Sequence, residues 1–134
     1  MSGILILEDS LERIRLFKQG LIGAAPVLYV HRAKDAIKAL SEGSWDFVFL
    51  DHDLGEHSKV GDGTMVCAWV AEHAHKFKGV SFIIHSLNGP ARERMTDILL
   101  NVELFATEVP FAWTNNKMLE SVVAHMQKVT KGSI

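Results

Sequence analysis

Cysteine is all but missing from this chain of 134 residues: Cys67 stands alone. One thiol makes no internal disulfide and builds no thiolate metal cluster. Long apolar runs are missing too. No segment approaches 18 continuous apolar residues, and the N-terminus lacks the charged n-region of a signal peptide, so neither a membrane span nor secretion is expected. The first apolar run, Ile4-Leu5-Ile6-Leu7, stops at Glu8-Asp9. Neither sign of charge is in excess, because 16 acidic and 14 basic side chains leave −2. That balance speaks against an extended nucleic-acid surface, which needs a basic face, but leaves room for a small anionic ligand held by a few local donors. Repeats, low-complexity tracts and interdomain linkers are absent as well. What remains is an ordinary globular mix, 48% hydrophobic and 22% charged. Its length predicts a single domain over residues 1–134, frayed from about residue 130, in a reducing cytoplasmic compartment.

Short apolar runs alternate with amphipathic stretches, the pattern of a parallel α/β sheet. Ile4–Leu7, Pro26–Val30, Phe47–Leu50, Ser81–Ile84 and Leu104–Val109 read as strands. Between them, Ser10 caps a helix with Leu11, Ile14, Phe17 and Leu21 inward, ended by Gly20 and Gly23. A second helix carries Ala33, Ala36, Ile37 and Leu40, a third starts near Thr64 with Val66, Trp69, Val70 and His73, and a fourth starts at Pro90 with Ala91, Met95, Ile98 and Leu99. A last helix begins at Asn115 or Asn116 with Leu119, Val122, Val123, Met126 and Val129 inward. The prediction is a flavodoxin-like doubly wound α/β fold: a five-stranded parallel sheet in the order 2-1-3-4-5, with helices on both faces.

That order makes neighbours of the carboxyl ends of strands 1, 3 and 4. Adjacent strands lie roughly 4.8 Å apart, so residues just past these ends fall within about 10 Å of one another. Glu8 and Asp9 follow strand 1, Asp51-His52-Asp53 follow strand 3, and His85, Ser86 and Asn88 follow strand 4. Any one of them has capping as its ordinary explanation; convergence from three strands points to a site. Hard carboxylate oxygens favour Mg²⁺, Mn²⁺ or Ca²⁺, the imidazoles let Zn²⁺ compete, and histidine moves protons near neutral pH. The irregular stretch from Asp51 to about Gly63, long for a compact domain, adds to the case. Asn88 within Asn-Gly-Pro also reads as a plain helix start, and Asp53 as a ligand or as a brace for His52. Arg92 sits where a helix N-terminus meets phosphate, whereas Arg94 reads as solvated surface. His57 reads as an exposed loop residue. His73, His75, His125, Cys67, Trp45, Trp69 and Trp113 read as scaffold.

Leu7-Glu8-Asp9-Ser10, Asp46-Phe47-Val48-Phe49-Leu50-Asp51 and Ile83-Ile84-His85-Ser86 resemble the strand ends of response-regulator receiver domains. The resemblance implies Mg²⁺ at Glu8, Asp9 and Asp51, phosphorylation of Asp51, and Ser86 as the hydroxyl residue. Receivers also carry a lysine before a proline after strand 5; here Val109 precedes Pro110. Closer still, Leu50-Asp51-His52-Asp53-Leu54-Gly55, Gly61-Asp62-Gly63 before Trp69, and Ile84-His85-Ser86-Leu87-Asn88 followed by Arg92 and Met95 resemble the cyclic-phosphate-processing receiver-like family of bacteria and phages. That resemblance implies metal-assisted processing of cyclic or terminal phosphates on a small nucleotide or RNA end, in the host cytoplasm if phage-encoded.

The expectation is therefore a metal-dependent phosphoesterase. Its catalytic residues are His52 and His85; Glu8, Asp9, Asp51 and Asp53 are metal ligands for Mg²⁺ or Mn²⁺; Ser86, Asn88 and Arg92 bind substrate. The alternatives are a receiver-like signalling or partner-binding module and a noncatalytic cyclic-nucleotide-binding protein.

Overall fold

The computed structural model describes residues 2–22, 26–55 and 61–109. Five parallel strands form one sheet in the order β2-β1-β3-β4-β5. They are β1 (Ser2–Leu7), β2 (Val27–Val30), β3 (Ser44–Leu50), β4 (Ser81–Ile84) and β5 (Phe105–Glu108). Among the described residues four α-helices alternate with them: α1 (Leu11–Gly20), α2 (Ala33–Glu42), α3 (Gly63–Glu72) and α4 (Gly89–Leu100). The strand order is the one expected from the sequence. The helix expected from Asn115 or Asn116, Trp113, His125, His57, Gly23 and the tail lie outside the described residues. None of the helices among the described residues is long and apolar enough to cross a membrane.

Side chains alternate across a strand. Leu5, Leu7, Val48, Leu50, Phe82 and Ile84 therefore share one face, packed against Ala36 and Leu40 of α2, Val66 and Val70 of α3, and Met95 and Leu99 of α4. Ile4, Ile6, Phe49 and Ile83 occupy the opposite face with Phe17 and Leu21. Covered on both sides, the central strands are continuously apolar, which makes them legible as strands.

The predicted caps are in place. Ser10 Oγ accepts from the Arg13 N–H at 3.3 Å, and Asn88 Oδ1 accepts from the Ala91 N–H at 3.2 Å. Asp62 caps α3 by accepting from Thr64 and Met65. Leu11 and the start of β3 differ from the expectation. Leu11, expected inward, is 76% exposed. As the first residue of α1 it lies beyond the strand ends, where no sheet face underlies it. β3 starts at Ser44 rather than Phe47, because Ser44 and Trp45 pair with Ser2 and Gly3 ahead of an irregularity at Gly3/Ile4. That half of β3 is only partly covered, so its sequence carries no apolar signal.

Candidate functional site

Three residues stand one position past their strands at the same level of the sheet. The Glu8 N–H donates to the Val30 carbonyl, Asp51 N–H to Leu7, and His85 N–H to Leu50, at 3.0, 3.2 and 3.1 Å. These bonds continue the parallel ladder for one more step. By alternation Glu8, Asp51 and His85 follow Ile6, Phe49 and Ile83 onto the α1 face. Each offers one ligand atom, and the three atoms lie within 4.8 Å of one another. Glu8 and His85 have no exposed surface and Asp51 has 2%.

Glu8 is the hub. Its Oε2 accepts from the N–H groups of Asp9 and Ser10, both at 3.0 Å, while Oε1 meets His85 Nε2 at 3.0 Å and Arg13 Nη1 at 3.4 Å. Arg13 Nη1 also lies 3.4 Å from Asp51 Oδ2, and Asp51 Oδ1 accepts from the His52 N–H at 2.9 Å. The His85 ring sits edge-on to Phe17, with centroids 5.3 Å apart. Burial alone would raise Glu8, but the His85 hydrogen bond, the Ser10 N–H and the Arg13 guanidinium outweigh it and hold the carboxyl below its ordinary range. Burial depresses His85 against the pull of Glu8, and beside that carboxylate its Nε2–H donates. Burial, and then the Glu8 charge beside it, pushes Asp51 up to about 7. Two buried carboxylates thus share one site in which only one is comfortable as an anion, a conflict that a divalent cation would resolve. The donor set fits one: hard oxygens from two strands, with one imidazole at hand.

The pH dependence follows. Below about pH 4 the Asp51 carboxyl is protonated folded or unfolded and contributes nothing. Between about pH 4 and pH 7 the unfolded chain has released the proton while the folded chain keeps it, so stability falls as pH rises, and the penalty is complete above about 7. Mg²⁺ or Mn²⁺ is therefore expected to raise the melting temperature of the wild type, more at about pH 8 than at about pH 5.5. Asp51→Asn should respond little to either ion and, without metal, melt above the wild type at the higher pH. An equal metal shift in both proteins would take Asp51 out of the cation site.

The other predicted residues are placed around this cluster rather than in it. Asp9 is half-buried, and its Oδ2 lies 2.7 Å from where a Cβ on Gly55 would be. Gly55 has φ +57°, so both its backbone and its neighbour favour glycine there. His52 is held at both ring nitrogens, Nδ1 2.9 Å from Asp53 Oδ1 and Nε2 3.2 Å from Asp62 Oδ2. Asp53 is 65% exposed and its Oδ1 meets His52 Nδ1. Ser86 is buried and its Oγ accepts from the Asn88 N–H at 3.1 Å. Arg92 donates through Nη1 to the Ser86 carbonyl at 2.7 Å and through Nε to Glu108 at 3.2 Å, which ties the first turn of α4 to the end of β5.

Three participants do not stand out in the sequence. Arg13 comes three residues after the Ser10 cap, one turn into the helix that starts at the site, and that position is the available signal. His31 follows β2 as Glu8 follows β1, and its Nδ1 donates to the Glu8 carbonyl at 2.9 Å. Asp62 reads in the sequence as part of the helix opening, with no sign of its contact to His52.

Among solved structures, the chain is similar to the signal receiver domain of a LuxO repressor protein from Vibrio parahaemolyticus, with 22% identity, TM-score 0.67 and coverage of 98% of this chain and 94% of that one. A CheY-like receiver domain from Methanospirillum hungatei matches at 19% identity and TM-score 0.64 over 98% of both chains. The Mn²⁺-bound form of response regulator Rcp1 matches at 14% identity and TM-score 0.66 over 91% of both. At these identities the likeness speaks to the fold. No curated protein matches the chain with significance. The family signal comes from the sequence profile of the cyclic-phosphate processing receiver domain, which matches residues 4–101, from β1 through α4 and across all three strand ends of the site. The chain belongs to the cyclic-phosphate processing receiver domain family.

Proposed function

We propose that the protein is a metal-dependent phosphoesterase acting on the cyclic or terminal phosphate of a small nucleotide or RNA end. The observation that carries this reading is the buried Glu8–Asp51–His85 cluster, its ligand atoms within 4.8 Å of one another, at the carboxyl edge of a sheet whose family is named for cyclic-phosphate processing. A divalent cation bound there supplies charge neutralisation for a phosphate and a more acidic water. Glu8 and Asp51 hold it. His85 has no exposed surface and acts through Glu8, orienting the carboxylate it donates to. His52 keeps 14% of its side chain exposed and carries the proton on Nε2 when that nitrogen leaves Asp62, with Asp53 fixing the ring through Nδ1. Ser86, Asn88 and Arg92 border the N-terminal turn of α4, where backbone N–H groups favour an anion.

The experiment is product analysis. Protein is incubated with 2′,3′-cyclic and 3′,5′-cyclic nucleotides and Mg²⁺ or Mn²⁺, then denatured. An opened phosphomonoester is the expected product. Intact nucleotide recovered from the denatured protein would make it a sequestering protein, and neither binding nor turnover would overturn the proposal.

The receiver fold favours a second reading, a signalling module phosphorylated on Asp51. Against it stand Val109 in place of the lysine that precedes the proline, and an Asp51 that is buried and paired with Arg13. Acetyl phosphate is accordingly expected to leave Asp51 unmodified. Stoichiometric aspartyl phosphate found there by mass spectrometry would promote the signalling reading.

A further inference from the structure

Arg13 has the least buried side chain of the charged group at the site. It is 31% exposed, whereas its partners Glu8 and Asp51 are 0% and 2% exposed. A single nitrogen, Nη1, lies 3.4 Å from Glu8 Oε1 and 3.4 Å from Asp51 Oδ2. A positive charge that serves both carboxylates belongs at such a point, and a divalent cation held by the same pair needs the same space. Two cations that close together repel strongly where water is scarce. The guanidinium and the metal ion therefore exclude one another between these carboxylates.

The two contacts of Arg13 to the carboxylates are long and run through one nitrogen, unlike the paired N–H···O bonds of a guanidinium–carboxylate fork. Its backbone is anchored independently, since the Arg13 N–H donates to the Ser10 cap, so the side chain can swing without disturbing α1. We infer that Arg13 is the resident cation of this site, that a divalent metal ion must displace it, and that the displaced guanidinium then binds the phosphate of the ligand. The planar fork suits a phosphate, and its anchored backbone keeps it at the mouth of the site. This inference rests on the metal-dependent reading above.

The test is calorimetric titration of Mn²⁺ into the wild type, Arg13→Gln and Arg13→Met, the last retaining the apolar stem in case the glutamine variant does not fold. Loss of the competing charge should tighten Mn²⁺ binding about ten-fold in both variants. With Mn²⁺ saturating, inorganic phosphate should bind about ten-fold more weakly to the variants than to the wild type. Changes of opposite sign for the two probes separate this role from a structural one, which would weaken both. Variants that bind Mn²⁺ no tighter than a wild type that does bind it overturn the displacement. Unchanged phosphate binding overturns the second half. No Mn²⁺ binding by any of the proteins removes the metal-dependent reading, and this inference with it.

Discussion

Gly63→Ala is expected to lower stability by about 3 kcal/mol, the upper end of what overpacking usually costs, and the melting temperature by roughly 10 °C. α3 begins against the chain that leaves β3: the Gly63 N–H donates to the His52 carbonyl at 3.1 Å. A Cβ on Gly63 would fall well inside van der Waals distance of the Asp51 carbonyl oxygen and 2.5 Å from Met95 Cε. The methionine can turn aside. The Asp51 carbonyl is backbone held in place by the sheet, so α3 has to back away and carry Asp62, with its contact to His52, along with it. The metal-induced rise in melting temperature should persist, because Asp51 stays where the sheet holds it. Gly89→Ala is the control. Among the described residues its Cβ would meet only Arg92 Nη2 at 3.8 Å, an ordinary contact, and the change should stay within about 1 kcal/mol. Thermal melts of the two variants decide the matter, and equal melting temperatures would show that α3 accommodates the methyl group.

His52→Ala is expected to reduce turnover by about 10²–10⁴, the usual worth of a positioned proton-transfer group. Stability should barely change, because the ring's partners Asp53 and Asp62 are 65% and 36% exposed, and ion pairs that open to water contribute little. Mn²⁺ and phosphate binding should survive, since Glu8, Asp51 and Arg13 are untouched. His85→Ala should behave differently. It removes a fully buried ring packed on Phe17 and takes one donor from Glu8 Oε1, so the melting temperature and the metal response should fall together. Steady-state kinetics on whichever cyclic nucleotide the wild type opens, alongside thermal melts, distinguishes the two histidines. Full turnover by His52→Ala would end its role as proton carrier.

By itself the sequence determined the fold class, the strand order and the edge at which chemistry collects. It did so through signals that are local and periodic. Four-residue apolar runs mark strands covered on both faces, Ser10 and Asn88 mark helix starts, and polar residues directly after Leu7, Leu50 and Ile84 mark one edge of the sheet. The partners of each polar group are not legible there, because they depend on rotation about side-chain bonds and on which helix overlies which strand. Glu8 and Asp9 are adjacent in the chain and look equivalent; strand alternation turns Glu8 into the core toward His85 and leaves Asp9 beside Gly55. His52 and His85 both follow strands and look like a pair. The fold buries His85 beneath Glu8 and ties His52 to the cap of α3. Arg13 carries no motif, and only the packing of α1 across the sheet brings its charge between Glu8 and Asp51. Short-range order is written in spacing, whereas the electrostatics of a buried site arise from distances of a few ångströms between residues as far apart in the chain as Glu8 and His85.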